Sequence, residues 1–526
     1  MKRAITFCLL LVFVLVTLLA GCVAPTSSPE AKEKVLRIAT GKDDYTNSWG
    51  GKAVFCSEGL VMFDANMKIK PLLAESWKAE DEKIYTFQLR KVIKFHDGTP
   101  FNAQAVKYAF ETYLKKSAIR DGIEAIETPD DYTVKFILKK PNPLFLSNLA
   151  VYEEILSPAA VKKALEEGVS EELIPQRVFV GTGPFKFSKW TKGQEVVFVK
   201  NEDYWQGEVK LDRIVLKIIP DPHTRVISLE AGEVDLIGND PFSLILPQEV
   251  LRLQNNPEIR LYHRAAATTY GLEWFSFNTE RGPFNDLQVR KAVKHAVNVR
   301  EIVKAIFGNG EPVAKGPFPE SSKFASPDLR SPEYNPDLAK RLLAQAGWSD
   351  TDNDGIVERN GKPFKITLGI GTRVPAWNII AEMMQAQLKK VGIALEIETY
   401  EDQALREKWK KGEFDLIAQT SIGSPHDDPQ WHFETYYSTH GGFGYPPVIR
   451  DEELDKYIGE LKMAAGEERI RKYHAIQKRI EELVPGVYLF HEPMFAAAAK
   501  KLKNFEISPP VPWHRYQVLW KVDIEE

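Results

Sequence analysis

The amino-acid sequence predicts an α/β fold of two lobes, and three observations predict it. Segments that alternate apolar and polar residues are separated by segments with helical spacing, one phrase of strand, helix and Gly-Glu-x-Asp-Leu-Ile occurs twice, and 526 residues exceed what one hydrophobic core holds. From Lys365 the chain reads KITLGIG, with Ile366, Leu368 and Ile370 alternating. NIIAEMMQAQLKKVG then keeps Ile380, Met383, Met384, Leu388 and Val391 at helical spacing, and IALEIETY alternates again through Ile393, Leu395 and Ile397. Strand, helix, strand implies a crossover and a parallel pair. A helix from about Asp402 to Lys411 and the apolar strand of GEFDLIAQT follow. Earlier, IVLKIIPD, PHTRVISLEA and AGEVDLIGN repeat that order, residues 232–237 matching residues 412–417. Two lobes of similar construction are expected.

The first residues are of another kind. MKRAITFCLLLVFVLVTLLAGC sets Lys2 and Arg3 before an apolar run from Ala4 to Ala20, which is the pattern of a secretory signal. Its ending, LAGC, resembles the bacterial lipobox, so residues 1–21 are expected to be removed and Cys22 to carry lipid. The stretch up to residue 34, rich in Pro, Ser and charge, reads as a flexible tether. Cleavage removes Lys2, Arg3 and Cys8, taking the formal charge from −4 to −6 and leaving Cys56 without a disulfide partner. An exported body without a disulfide depends on its cores. With 44% hydrophobic and 27% charged residues the chain is an ordinary globular protein, and its scattered Lys and Arg form no footprint for nucleic acid.

In open α/β sheets a ligand binds outside the carboxyl ends of the strands. SIGSPHDDPQWHFETYYSTH, residues 421–440, leaves such an end after the strand of residues 414–420, and it holds three histidines, two adjacent acids and four aromatics. Arg373 leaves the carboxyl end of the strand at residues 365–369, just before a helix signalled by Pro375, so both should share one rim. One of Asp427 and Asp428 is expected to cap the helix near Pro429. His432 falls within that helix and reads as packed or solvated, whereas His440, before Gly441 and Gly442, sits in a loop where it can coordinate a metal. Tyr45 and Trp49 occupy the polar loop GKDDYTNSWGG after the first strand and are assigned to the cleft; Trp274 and Trp431 are open between core and cleft. A catalytic metal on His426, Asp427, His432 and His440 would follow no recognised hydrolase spacing. DTDNDGIVE begins like a calcium loop, but its twelfth position is Gly361, and HEPMF at His491 lacks the second His of a zinc protease.

Several longer segments carry a family resemblance: LLAESWKAEDEKIYTFQLRKVIKFHDGTPFNAQAVKYAFE, GTGPFKF, NEDYWQGEVKLDRIVLKIIPDPHTR, FNTERGPFNDLQVRKAVKHAVN, YNPDLAKRLLAQAGW and KGEFDLI. The chain resembles family 5 extracytoplasmic solute-binding proteins, which serve peptide, nickel and some sugar ABC importers. The resemblance implies a periplasmic-binding-protein-like bilobal fold (type II, cluster C) with an inserted domain. Domain I would comprise residues 35–56, 177–272 and 490–526, domain II residues 57–176, and domain III residues 273–489, with the ligand between I and III. It further implies a monomer anchored to the cell membrane by its lipid and facing the periplasm or exterior. Such a receptor needs no cofactor and presents its solute to an ABC permease with ATPase subunits.

In peptide-binding relatives an Asp four residues before the Pro of this Asp-Pro motif pairs with the peptide's α-amino group. Here that position is Pro425, which leaves the role to Asp427 or Asp428. Nickel-binding relatives are similar in the short Pro-containing turn and in a His after the next helix, close to His440. They hold a carboxylate chelator with an Arg and aromatics; Arg120 or Arg373 is available for this, while the segment AVYEEIL is acidic. The resemblance therefore implies a receptor for an oligopeptide, dipeptide or related small carboxylate, alternatively for nickel or a metal chelate, and only remotely a metal-dependent hydrolase. The candidate ligand-binding residues are Tyr45, Trp49, Trp274, Arg373, His426, Asp427 and Trp431, with His440 added if a metal chelate is bound.

Overall fold

The computed structural model describes residues 33–41, 55–64, 67–115, 118–152, 154–238, 245–264, 271–308, 313–372, 374, 376–421, 428–439, 441, 447–507 and 519–525. Cys22, Tyr45, Trp49, Arg373, His426, Asp427 and His440 lie outside them. Among the described residues no helix is long and apolar enough to cross a membrane.

Strand β1, Val35–Thr40, pairs in parallel with β2, Arg213–Ile218. Helix α1, Pro222–Glu230, carries the chain to β3, Leu236–Gly238, which pairs in parallel on the other side of β1. After β4, Ile259–Arg264, the chain leaves this sheet and builds a second one, beginning with β5, Leu272–Phe277, and β6, Lys365–Gly371. Helix α2, Ala376–Lys389, leads to β7, Ala394–Tyr400, and α3, Asp402–Lys410, to β8, Leu416–Ser421. Three more helices, α4 at Gln430–Tyr436, α5 at Glu452–Leu461 and α6 at Gly466–Leu483, precede β9, Gly486–His491. Strand β10, Met494–Ala499, then returns to the first sheet.

The two sheets are alike strand for strand. The first runs β4-β10-β3-β1-β2, extended by Glu195–Lys200 and Phe185–Thr191; the second runs β9-β5-β8-β6-β7. In each, three parallel strands are followed by a reversed fourth, and that fourth strand comes from chain that has just left the other sheet. A separate four-stranded antiparallel sheet lies between residues 74 and 138, over a core that includes Phe87, Phe110, Phe136 and Phe145. Each of the three sheets buries its own apolar cluster.

The repeated Gly-Glu-x-Asp phrase has a physical reason at each position. Gly232 and Gly412 follow the caps of α1 and α3 with φ of +71° and +69°, a conformation that costs glycine least. Gly232 N–H donates to the Leu229 carbonyl and Glu233 N–H to Ser228; Gly412 donates to Trp409 and Glu413 to Lys408. This double closure satisfies carbonyls that a helix end leaves open. Val234 and Phe414, 0% and 1% exposed, then turn inward. Burying each contributes about 2 kcal/mol.

The Asp that follows grips the central strand. Asp235 N–H donates to the Arg37 carbonyl at 2.7 Å and Arg37 N–H donates back to the Asp235 carboxylate at 2.9 Å. Asp415 repeats both bonds with Thr367, at 3.2 and 2.9 Å. Arg37 and Thr367 are each the third residue of the central strand. A cation completes each arrangement: the Arg37 side chain and Lys501 at Asp235, 2.8 and 2.7 Å away, and Arg281 at Asp415, 3.3 Å away. Burial alone would raise the Asp235 carboxyl, but the bonds from Arg37 and Lys501 outweigh it and hold it below the usual range.

Asp235→Ala is expected to lower the unfolding free energy by about 3 kcal/mol at neutral pH, and Asp415→Ala by about 2, measured by urea denaturation. Because the Asp235 pKa is depressed, its contribution is complete above the unfolded value and is lost as pH falls through the folded one. The deficit of Asp235→Ala should therefore shrink below about pH 4.

Candidate ligand-binding rim

The carboxyl end of β8 lies beside the start of β5 and the end of β9, at one edge of the second sheet. Leu272, opening β5, pairs with Ser421 at the end of β8 and with His491 at the end of β9, so the three side chains share one face of the sheet. Helix α4 packs there through His432, whose Nδ1 lies 3.1 Å from Ser421 Oγ. Below it an aromatic cluster fills the face. Trp274 is fully enclosed, with ring centres 5.8 Å from Tyr437, 5.9 Å from Tyr436 and 5.7 Å from Tyr488, and the Tyr437 and Tyr488 hydroxyls are 2.7 Å apart. Trp431, half-buried, meets Tyr436 edge-on at 6.2 Å. Of the sequence candidates, Trp274 and Trp431 are thus brought together in this cluster.

Of the two adjacent acids, Asp428 points into the lobe. It is 4% exposed, and Arg469 on α6 grips it through two bonds, Nε to Oδ2 at 2.6 Å and Nη2 to Oδ1 at 2.8 Å. Nη2 also donates to Gln430 Oε1, Nη1 donates to the carbonyls of Leu461 and Ala464, and the Tyr473 hydroxyl donates to Asp428. All five guanidinium N–H donors therefore find acceptors, which is the condition for burying a charge. Removing either partner would leave the other charged and enclosed, at a cost of about 3 to 5 kcal/mol. Asp428 also accepts from Gln430 N–H at 3.2 Å; the N-cap of α4 is Pro429, which makes no side-chain cap, so Asp428 stands one residue before the expected capping place. The ion pair thereby ties the first turn of α4 to α6 and to the end of α5. Sequence reasoning missed Arg469; its one signal was an Arg and a Tyr four residues apart on one helix face.

On the other face of the sheet Glu273, 1% exposed, accepts from Thr420 Oγ1 at 2.9 Å, and Thr420 Oγ1 accepts from Trp377 Nε1 at 3.3 Å. Trp377 belongs to the first turn of α2, four residues beyond Arg373, so this chain of bonds fastens the start of that helix to the rim. The Asp350 segment is a turn, as its sequence suggests. Asp350, Asp352 and Asp354 accept backbone N–H groups within it, Glu358 accepts from Thr351, and the four carboxylates lie within 4.8 Å of one another.

The rim holds two neutral histidines. His432 and His491 are 3% and 4% exposed; burial lowers their pKa to about 3 and about 4, helped at His432 by His491 and opposed at His491 by surrounding carbonyls. His491 Nδ1 donates to the Gly271 carbonyl at 3.2 Å, where Glu492 N–H also donates at 3.0 Å. The two crossings between the sheets are tied at that carbonyl. A depressed His pKa gives stability that is present above the unfolded value of about 6.5 and is lost as pH falls. At pH 5 each should have cost the fold about 2 kcal/mol relative to pH 7. His432→Gln is expected to flatten that decline, as read from denaturation curves at pH 5, 6 and 7; an unchanged slope would show that this imidazole stays solvated.

Comparison with known proteins agrees with this geometry. Residues 68–444 match the model of the bacterial extracellular solute-binding proteins, family 5. The di/tripeptide-binding protein 2 of Pseudomonas aeruginosa is 30% identical over 470 residues, covering 84% of each chain, and the nickel-binding periplasmic protein of Escherichia coli is 29% identical over 468, covering 86% of each. Among solved structures, NikA from Brucella suis in complex with Fe(III)-EDTA superimposes with a TM-score of 0.81 at 27% identity, covering 94% of this chain and all of that one. With its two like sheets, its crossings and this match over most of its length, the chain belongs to the bacterial extracellular solute-binding proteins, family 5.

Proposed function

We propose that the protein is the lipid-anchored, monomeric receptor of an ABC importer, which encloses a small carboxylate-bearing solute, a dipeptide or oligopeptide, and delivers it unaltered to the permease and its ATPase subunits. The observation that carries this reading is the pair of like lobes exchanging their fourth strands, joined by crossings that meet at Gly271. Such a frame closes when one solute contacts both lobes. Residues 35–56, 177–272 and 490–526 would form one lobe, residues 273–489 the other and residues 57–176 an inserted domain, a division that the three apolar clusters support. Tyr45, Trp49, Arg373, His426, Asp427 and Trp431 would line the cleft, with Trp274 beneath them. Cys22 would carry the lipid. Likeness to nickel-binding and Fe(III)-EDTA-bound relatives favours a second reading, a metal chelate held with help from His440.

A carboxylate is common to both solutes, and Arg373 is the cation expected on the rim beside β6. A guanidinium grips a carboxylate through two parallel bonds that Lys cannot reproduce. Calorimetry with a Met-Leu dipeptide and with nickel plus L-histidine tests the two readings. Arg373→Ala is expected to cost about 2 to 5 kcal/mol with either, whereas His440→Ala weakens only the nickel complex. Unchanged affinity in both variants would remove these residues from the site.

A further inference from the structure

The first lobe and the inserted sheet meet at two acids with opposite surroundings. Glu58, 2% exposed, accepts from Thr182 Oγ1 at 2.8 Å, Tyr204 OH at 2.8 Å, Trp205 Nε1 at 2.7 Å and Gln206 Nε2 at 3.4 Å. Burial raises its carboxyl and these four donors pull it back. Glu154 stands next to the partner of that residue, since Ile155 bridges to Glu58. It is half-buried, and from the described residues its carboxylate accepts one bond, from Ser57 Oγ at 2.7 Å. Among the described residues no Lys, Arg or His pairs with it.

A carboxylate partly withdrawn from water beside one neutral donor is costly, and a glutamine would supply the fold with the same bond. Glu154 is therefore better explained by something that binds than by the fold. Its place in the chain agrees: Ser57 and Glu58 lie in the sequence between β1 and the inserted sheet, and such sheets take ligands where the chain leaves the carboxyl ends of their strands.

We propose that Glu154 receives a cationic group of the transported solute, an ammonium or guanidinium, and so sets the charge class that this receptor accepts. The inference rests on the importer reading and adds the charge of the solute to it. Burial pushes the free carboxyl up to about 7, against the pull of Ser57. An arriving cation reverses that rise, so binding at pH 7 releases about half a proton. Among the described residues the titratable groups around it are the Cys56 thiol, held high by burial, the Tyr113 hydroxyl, which donates to the Glu154 carbonyl at 3.2 Å, and Glu58 on the bridged segment.

The test is calorimetry in two buffers of different ionisation enthalpy, using Met-Leu, N-acetyl-Met-Leu and nickel with L-histidine on the wild type, Glu154→Gln and Glu154→Asp. Met-Leu should bind the wild type with proton release. Acetylation and Glu154→Gln should each weaken it at least tenfold, together no more than either alone, while Glu154→Asp retains part of the affinity. A solute bound equally by wild type and Glu154→Gln, or acetylated peptide bound as well as free peptide, overturns the inference and leaves the importer reading standing. Binding of none of the three counts against both. The protein without solute gives a second measure. Glu154→Gln keeps the Ser57 bond and removes a charge the fold disfavours, so it should melt above wild type at pH 8 and level with it near pH 4.5; a lower melting temperature at pH 8 marks a structural residue and overturns the inference.

Discussion

A carboxylate closed onto the backbone of the neighbouring strand is the contact on which each lobe is built. Asp235 and Asp415 each exchange two bonds with the third residue of a central strand. That exchange sets where the third parallel strand begins and therefore where its carboxyl end emerges. Moving the Asp by one residue would turn the inner faces of β3 and β8 outward. The glycine three residues earlier ends the helix so that the Asp arrives in place. Helix end, apolar anchor and strand register thus form one unit, made twice.

The exchange of fourth strands gives that unit its mechanical consequence. The first sheet is not complete until the chain has entered the second and come back, and the lobes are joined by short crossings. Between β9 and β10 only Glu492 and Pro493 intervene, and their neighbour His491 is held to Gly271 on the other crossing. Few backbone torsions are free to change there, and hinge movement concentrates in such places. The rim built from Ser421, His432, Asp428 and Arg469 is tied within the second lobe, Ser421 to His432 and Asp428 to Arg469, so it would turn with that lobe.

Local chemistry was legible in the sequence and non-local chemistry was not. The Gly-Glu-x-Asp phrase could be read as a repeat because its Gly and Glu answer to the helix end just before them, although the partners of its Asp, 198 and 48 residues away, could not be read. The β6, α2 and β7 segments show clear periods for the same reason. Strands β5 and β9, LEWFSF and GVYLFH, are buried on all six residues, so neither has an alternation to read, and these two lie in the exchanged half of the second sheet. In sequence nothing marks Asp428 as a buried partner; that role depends on Arg469, 41 residues away. The buried state of His432 was within reach from its place on a helix, but its bond to Ser421 required knowing which strand end lies beneath it.

The central claim is that two lobes of one construction close on a solute held between them. Small-angle scattering on the protein with and without a solute that calorimetry shows to saturate it tests this directly. The account predicts a smaller radius of gyration on binding, as the lobes turn about the crossings at Gly271 and Glu492. Superimposable profiles at saturation would contradict it, and would mean that the solute binds a scaffold that does not move.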